Sequence, residues 1–544
     1  MKSIPMKSWS ILLWLICLLS PSLAEEKRPN IVFIFADDWG RFASLYAAAR
    51  PDGATADGLN EFVRTPNIDR VAKQGVLFRN AHVSSPSCTP CRSALLSGQY
   101  FWRTGRGAVL HGVWDESIPS FPLLLRDSGY HIGKSHKVWG PGNPVDAPFG
   151  KQKHAFEKAG SRINRFSQNA TTIMKKGVPR EEAKEQIYQE VRGNFRQFIA
   201  AREEGKPFHY WFGPTNTHRK WLRGSGKTLW DLDPEKLKGK LPAFLPDVPE
   251  VREDVADYLG EVAAVDGAIG VLMDELRATG EMDNTIIALS GDHGAPGFPH
   301  GKCNLYTFGT GVTLVMAGPG IKGGRVVDDF VNLTDLAPTF LEAAGLPIPS
   351  VVTGRSLWPV LRSDKAGLVD PARTWVVTGR ERHTQIARPG NVPYPQRAIH
   401  TDTHLYIINF KPDRYPMGDP YRLDEEKPPF PPEQLREDTR VTLTDMDSGP
   451  TKAWLVEKRN DPEWKSFYDL SFGKRPREEL YDLKTDPWQM HNLAGDPAHE
   501  KIRAELETRL LDELRRTNDP RMVDDGAKFE NPPFAGGEKD ASGE

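Results

Sequence analysis

Cysteine is scarce in this sequence, with four among 544 residues. Cys17 lies in an apolar stretch near the amino terminus, so Cys88, Cys91 and Cys303 remain for the rest of the chain. A chain of this size with three cysteines does not depend on a disulfide framework, because scaffolds of that kind are small and dense in cysteine. The sequence leaves open whether Cys91 and Cys303 pair.

An excess of either charge is also missing. Lysine and arginine together number 71, and aspartate and glutamate number 73, which gives a formal net charge of −2. The sequence has no stripe of basic residues, which is the feature that would indicate a nucleic-acid partner. An anionic substrate would therefore be held by local charges in a pocket and not by the field of the whole protein.

Long hydrophobic runs are absent too. The apolar run Ile11–Leu19 has nine residues, whereas a membrane-spanning helix needs about 20. Lys2 and Lys7 precede this run, and Ser22–Ala24 follows it as a small-x-small cleavage site. This order is typical of a signal peptide. It predicts cleavage after residue 24 and export of a protein without a membrane span.

The most informative stretch that is present covers residues 84–100, SSPSCTPCRSALLSGQY. Pro90 fits the first turn of a helix, so Cys88 is expected just before a helix N-terminus, where free amides favour negative charge. Arg92 adds a positive charge one turn further on. Cys88 and Cys91 form C-x-x-C, which is half a zinc site, but no second pair lies at zinc-ligand spacing. A buried, unreactive cysteine is the other ordinary interpretation.

Two apolar runs end in adjacent polar residues. Asn30–Ala36 is followed by Asp37 and Asp38, and the run from Asn284 to Ser290 is followed by Asp292 and His293. Continuous apolar runs predict strands that are buried on both faces of a sheet. The carboxyl ends of parallel strands meet at one edge, and carboxylate oxygens there suit Ca²⁺ or Mg²⁺.

Other basic residues follow predicted strands. Lys134 and His136, two residues apart in an extended segment, are expected to point the same way. His218 comes shortly after the strand Phe208–Phe212, and Lys302 lies in a loop rich in glycine and proline. Scattered polar clusters of this kind at strand ends are the expected form of an α/β active site.

Taken together, the motifs resemble those of the type I sulfatases. The resemblance covers nearly the whole chain after the signal peptide and is carried by FADD, CTPCRSALLSG, GKSH, SGDHG and ELYDLKTDPWQMHNLA. Within that family the chain is most similar to the sulfamidase branch, through GKSH, GKCNLY and IINFK. It departs from the pattern in two places, with Lys302 where arginine is expected and His293 where many members have asparagine.

The resemblance implies a mechanism. A formylglycine-generating enzyme would convert Cys88 to formylglycine, whose hydrated aldehyde is the nucleophile. His218 or Lys302 would protonate the leaving group, and His136 would take the proton of the second hydroxyl. The implied catalytic residues are Cys88, Arg92, Lys134, His136, His218 and Lys302. The implied metal ligands are Asp37, Asp38, Cys88, Asp292 and His293, with Ca²⁺ as the ion and Mg²⁺ as the alternative.

The resemblance also implies an α/β fold like that of alkaline phosphatase. A mixed sheet would lie between helices, followed by a smaller C-terminal subdomain with an antiparallel sheet. We expect a signal peptide at 1–24, a catalytic domain at 25–372, the C-terminal subdomain at 373–520 and a loosely ordered polar tail at 521–544.

The implied substrate is a sulfated saccharide, attacked one sulfate at a time from the end of a glycan. Trp221 would stack on a sugar ring. Arg380, Arg382 and His383 would either close the pocket or form interdomain ion pairs. Two alternatives remain, a phosphatase or phosphonate hydrolase of the same superfamily and a non-catalytic carbohydrate-binding homologue. Export implies a periplasmic or secreted protein, or a lysosomal one in a eukaryote.

Overall fold

The computed structural model describes residues 28–49, 58–423 and 430–536, so the predicted signal peptide lies outside the described residues. The strands are β1 Asn30–Ala36, β2 Val76–His82, β3 Gly112–Val113, β4 His131–His136, β5 Gly142–Asn143, β6 Phe208–Gly213, β7 Thr285–Gly291, β8 Leu314–Ala317, β9 Arg325–Asn332, β10 Trp375–Arg380, β11 Gln396–Thr401, β12 His404–Asn409 and β13 Glu478–Asp482.

The α-helices are α1 Ser44–Ala48, α2 Gly58–Phe62, α3 Pro66–Gln74, α4 Cys88–Ser97, α5 Phe121–Asp127, α6 Phe166–Met174, α7 Arg180–Ala200, α8 Ser225–Trp230, α9 Pro249–Ala278, α10 Thr307–Thr310, α11 Leu336–Ala343, α12 Trp358–Arg362, α13 Pro432–Glu437, α14 Pro450–Glu457, α15 Lys465–Phe472, α16 Glu500–Arg516 and α17 Ala527–Glu530.

A seven-stranded sheet forms the centre of the molecule, in the order β4-β6-β1-β7-β8-β2-β9. The strands are parallel except β8, which runs antiparallel to both β7 and β2. β1 is buried along its whole length. Its side chains alternate between two cores, with Val32 and Ile34 on one face and Ile31, Phe33 and Phe35 on the other. The predicted mixed sheet between helices is therefore confirmed.

Helices cover both faces of this sheet. One core contains residues of α3, α6, α7 and the 30-residue helix α9, and the other contains residues of α4, α5 and α11. An apolar run that is buried on both sides needs such a cover, which is why the strands read as continuous hydrophobic segments.

A second, antiparallel sheet follows in the order β10-β11-β12-β13. α16 packs on one face through Leu506, Leu510 and Leu514. The other face contacts Leu305 and Tyr306 from the loop beyond β7. The predicted C-terminal antiparallel sheet is confirmed, and this contact joins it to the part of the chain that carries Lys302. The division at residue 372 remains a prediction.

The expected loose tail is wrong for residues up to 536. Phe529 and Phe534 are buried in the core beneath the antiparallel sheet. Arg521 donates to the Glu381 carboxylate at 2.6 Å, within the same buried region. Polar composition misled the prediction because two phenylalanines and one buried ion pair are enough to anchor a short segment. Residues 537–544 lie outside the described part.

Cys88, Cys91 and Cys303 are all buried and free. Cys91 packs beneath the main sheet, whereas Cys303 belongs to a separate core formed with α14 and α15. Across the described ranges, no helix is both long and apolar enough to cross a bilayer.

Candidate active site

The site is built where parallel strands of the main sheet end. β6, β1 and β7 lie side by side, and the loops after them approach each other closely. Gly291, the last residue of β7, makes this approach possible, since a Cβ atom there would lie 1.9 Å from the carbonyl oxygen of Trp39. The sequence DDWG after β1 and DH after β7 thus meet at one edge, as predicted.

Carboxylates, a histidine and a thiol converge at that edge. Asp38, Cys88, Asp292 and His293 each place a ligand atom within 4.8 Å of the others, and all four are buried. The backbone amide of Asp38 donates to Asp292 Oδ1 at 2.7 Å. Asp38 adopts a left-handed conformation with φ of 57°, which aspartate tolerates better than most residues. Asp37 and Asp38 also form a second group with His218.

The tautomer of His293 follows from its contacts. Its Nδ1 lies 3.3 Å from the carbonyl oxygen of Gly294, which only accepts, so the neutral ring carries its proton on Nδ1. Nε2 then directs a lone pair toward Asp38 Oδ1 at 3.3 Å and Asp292 Oδ1 at 3.6 Å. A bound cation would stabilise lone pairs that face each other in this way.

The charges of the two adjacent carboxyls also fit a cation. Burial acts to raise the pKa of Asp37, but Lys137 and Arg92 outweigh it and hold that pKa well below its usual range. Burial, together with the Asp37 carboxylate, raises the pKa of Asp38 despite the amine of Lys302. A divalent cation would stabilise both carboxylates in their charged form.

Cys88 is the first residue of α4, after the N-cap Ser87. Its Sγ lies 3.5 Å from His293 Nε2 and 3.8 Å from Asp37 Oδ1. Burial raises the pKa of the thiol to about 12. An unmodified Cys88 would therefore stay protonated and be a poor nucleophile at neutral pH.

Arg92 is fully buried and holds the cluster together. Its Nε donates to Asp292 Oδ2 at 2.9 Å and its Nη2 to Asp37 Oδ1 at 3.0 Å. The guanidinium also lies over the Phe35 ring, 4.9 Å from its centroid. Arg92 thus fixes carboxylates from two different strand ends in one geometry.

Lys302 is held between two carboxylates. Its amine lies 3.0 Å from Asp38 Oδ2 and 3.3 Å from Asp447 Oδ2. These two ion pairs outweigh burial and raise its pKa well above the usual value. Asp447 was missed by sequence reasoning, because the loop that carries it, DMDSG, follows no strand and matches no motif used there.

His218 lies at the mouth of the site, with 34% of its side chain exposed. Its Nδ1 contacts the carbonyl oxygen of Arg219 at 2.6 Å, so the neutral ring carries its proton there. Its Nε2 lies 3.9 Å from Asp38 Oδ2. In the neutral ring the atom that faces the cluster, Nε2, therefore carries a lone pair, and in the imidazolium form it carries a proton.

Lys134 and His136 are not brought into this cluster. The Lys134 amine pairs with Asp146 at 2.8 Å. Both ring nitrogens of His136 are buried without a hydrogen-bond partner among the described residues, and burial lowers its pKa to about 4. Lys137 instead reaches Asp37 Oδ1 at 2.6 Å. Sequence reasoning missed Lys137, although it directly follows the GKSH motif.

Two of the proposed substrate residues have structural contacts. Trp221 belongs to the main core and is 8% exposed, with the Arg219 guanidinium 4.1 Å from the centre of its ring. Arg380 donates to the carbonyl oxygens of Cys303 and Pro416 and to the Asp445 carboxylate. The ion pair of Arg380 therefore lies within the expected C-terminal subdomain and is not an interdomain pair, whereas its hydrogen bond to Cys303 joins that subdomain to the Lys302 loop.

Arg382 and His383 lie beside the nucleophile loop. His383 Nδ1 contacts Ser87 Oγ at 2.8 Å, one residue before Cys88. Arg382 is 3% exposed, and its Nη2 donates to the carbonyl oxygen of Leu110 at 3.2 Å. Both side chains remain candidates for contact with substrate.

Comparison with known proteins gives consistent matches. The family model described as Sulfatase matches residues 29–346. Human N-sulphoglucosamine sulphohydrolase is 27% identical over 545 aligned residues, which cover 92% of this chain and 93% of that protein. An N-acetylglucosamine-6-O-sulfatase of Bacteroides thetaiotaomicron is 26% identical, covering 63% of this chain and 73% of its own length. The solved structure of BT4656 with its substrate D-glucosamine-2-N,6-O-disulfate has a TM-score of 0.59 at 19% identity, covers 92% of this chain and 100% of that chain, and shows a shared fold.

Proposed function

Because the chain belongs to the sulfatase family and is a hydrolase of sulfuric esters or sulfamates, we propose that it is an exported, formylglycine-dependent sulfatase of sulfated glycans. The observation that carries this proposal is the position of Cys88. It is the first residue of a helix and the first residue of the family motif C-x-P-x-R. Its Sγ lies 3.5 to 4.0 Å from carboxylate and histidine atoms of the cluster.

Asp37, Asp38, Asp292 and His293 would hold one divalent cation together with the group at position 88. The oxygen-rich donor set favours Ca²⁺, with Mg²⁺ as the alternative. When bound, the ion would supply positive charge to the nucleophile and to a sulfate oxygen. Formylglycine at position 88, made by a formylglycine-generating enzyme, would supply the attacking hydroxyl.

The remaining residues provide charge and protons. Lys137 and Lys302 lie on two sides of the carboxylates and would stabilise negative charge on the sulfate oxygens. Lys302 keeps its proton, because Asp38 and Asp447 both hold the amine. His218 in its imidazolium form is therefore the better acid for the leaving group, since Nε2 faces the cluster and would give up its proton there while Nδ1 keeps its own. For Lys134 the expected role in charge stabilisation, and for His136 the expected role as proton acceptor, stay predictions, since the Lys134 amine pairs with Asp146 and the His136 ring nitrogens have no hydrogen-bond partner among the described residues.

N-sulfated glucosamine at the end of a glycan is the proposed substrate. Human N-sulphoglucosamine sulphohydrolase, similar over nearly the whole chain, supports the N-sulfate. Attack from the glycan end is supported by the near-neutral composition, which offers no basic groove for an internal chain segment.

Turnover of a panel of defined substrates tests the proposal. It should contain saccharides with only an N-sulfate, only a 6-O-sulfate, a terminal sulfate or an internal sulfate, together with a phosphate monoester. We expect the terminal N-sulfate to be released fastest. A faster phosphate monoester would establish the phosphatase alternative, faster internal release would contradict exo action, and binding without any turnover by matured protein would establish the non-catalytic alternative.

A further inference from the structure

Arg382 is a buried cation whose donors are largely unused. Its Nε and Nη1 have no hydrogen-bond partner among the described residues, although the side chain is only 3% exposed. Its single hydrogen bond goes to the carbonyl oxygen of Leu110. Burial lowers its pKa to about 10, so it remains charged at neutral pH. An arginine held in this way, without a carboxylate on its donors, is costly unless an anion occupies the site.

Backbone contacts place Arg382 beside the reaction centre. The next residue, His383, bonds to Ser87. On the other side, the amide of Leu110 donates to the Arg382 carbonyl oxygen at 3.3 Å, and the amide of His111 donates to Pro141 at 3.1 Å. The same Pro141 oxygen accepts from the Thr89 hydroxyl, one residue after Cys88. Arg382 is therefore connected on both sides to the residues that flank the nucleophile.

Two further basic side chains lie in this neighbourhood. Burial lowers the pKa of His111, and the positive charges of Arg382, Arg440 and Lys137 lie near enough to lower it further. His111 and Arg440 are exposed, and the side chain of neither has a hydrogen bond or an ion pair within the described residues. Lys137, in contrast, is committed to Asp37.

We infer that Arg382, together with the exposed side chains of His111 and Arg440, forms a subsite for a second anionic group on the substrate, a sulfate or a carboxylate next to the scissile sulfate. The inference rests on the proposed function. The guanidinium would donate Nε and Nη1 to two oxygens of that group, the paired geometry in which arginine binds such anions. The preferred substrate is then doubly anionic and not a saccharide with a single sulfate.

Paired substrates test the subsite. The first pair is glucosamine N-sulfate and its N,6-O-disulfated form, with the N,3-O-disulfated form as a positional variant. The second pair is a disaccharide with a uronic acid next to the N-sulfated ring, with its carboxylate intact or reduced to the alcohol. For each pair, kcat/KM is measured for matured enzyme, and Kd is measured with the Cys88→Ala protein.

We expect wild-type protein to prefer the second anion in at least one pair. Arg382→Gln should lower that preference ratio by about 10- to 100-fold, as for loss of a hydrogen-bonded ion pair. Arg440→Gln, a change at an exposed side chain that does not threaten folding, should lower it by about 2- to 5-fold. Arg436→Gln is the matched control, since Arg436 lies on α13 and pairs with Glu433, and it should leave the ratio unchanged.

The inference is overturned if wild-type protein shows no preference in any pair, or if neither Arg382→Gln nor Arg440→Gln changes the ratio more than the control does. The pair that responds identifies the anion as a sulfate on the same ring or a carboxylate on the next one. If matured enzyme hydrolyses none of these substrates, the proposed function fails, and the Kd ratios of the Cys88→Ala series still decide whether the subsite exists.

Discussion

His209 makes the stability of the protein depend on pH in a way that can be measured. It lies on β6 beside β1, with no exposed surface, between the rings of Phe121 and Phe149. Its Nδ1 contacts the carbonyl oxygen of Ile31 at 3.3 Å, and its Nε2 has no partner among the described residues. Burial lowers its pKa from 6.5 to about 3.

The sign follows from proton binding. In the folded protein His209 is neutral, whereas in the unfolded chain it takes up a proton once the pH falls below 6.5. The unfolded state therefore binds more protons, and stability is lost as the pH falls from 6.5 toward 3. At 1.36 kcal/mol per pKa unit, the loss between pH 7 and pH 5 is about 2 kcal/mol from this one side chain.

The assay compares wild-type protein with His209→Phe, which keeps an aromatic ring against Phe121 and Phe149. The free energy of unfolding is measured from urea titrations at fixed, saturating Ca²⁺ between pH 7 and pH 5. We expect the variant to lose about 2 kcal/mol less than wild type over this interval. His491→Gln is the control, because the ring of His491 is 82% exposed and should not contribute to the difference. Parallel curves for wild type and His209→Phe would refute the argument.

Three further outcomes follow from the site. Cys88→Ala should abolish turnover, whereas Cys91→Ala should retain it. Mass spectrometry of the peptide that contains both positions should show an aldehyde or its hydrate at residue 88 only. A fully active enzyme with an intact thiol at residue 88 would contradict the mechanism. Asp38→Asn should lower bound divalent metal and kcat/KM together, by about 100-fold or more for the latter, and active wild-type protein without metal on elemental analysis would rule out the metal site. Lys137→Met should reduce kcat/KM by at least about tenfold more than Lys134→Met, and the reverse order would show that the Lys134 amine reaches the reaction centre.

The cluster of candidate metal ligands was predictable because of where it lies in the sheet. Asp37, Asp38 and Asp292 directly follow buried parallel strands, and the strand pattern alone places their side chains at one edge. β1 and β7 are neighbours in perfect register from Asn30–Thr285 to Ala36–Gly291. The local strand pattern therefore predicts the same position for these carboxylates as the tertiary structure gives them.

The positions of the basic residues around the site could not be predicted fully from the sequence. Alternation correctly places Lys134 and His136 on one strand, but it does not say which way the following loop turns. The backbone of His136 is left-handed, with φ of 68°, and the chain then directs Lys137 toward Asp37. Asp447 lies more than 400 residues from Asp38 along the chain, and only the tertiary structure places the Lys302 amine between their carboxylates.

The anchored segment at residues 519–536 determines when the C-terminal sheet can fold during synthesis of the protein. Glu381 directly follows β10 and Arg397 lies on β11, and these two fully buried side chains pair with each other at 2.9 Å. Arg521 gives Glu381 a second partner, and Asp519 gives Arg397 a second partner. A ribosome releases residues 381 and 397 well before residue 519, so the nascent chain holds this ion pair without the Asp519 and Arg521 side chains that complete its hydrogen bonds. Burying the pair early, with donors and acceptors unsatisfied, would be unfavourable. The C-terminal sheet is therefore expected to close only after translation is nearly complete, and a shortened chain that ends before Asp519 should depend on chaperones and be degraded.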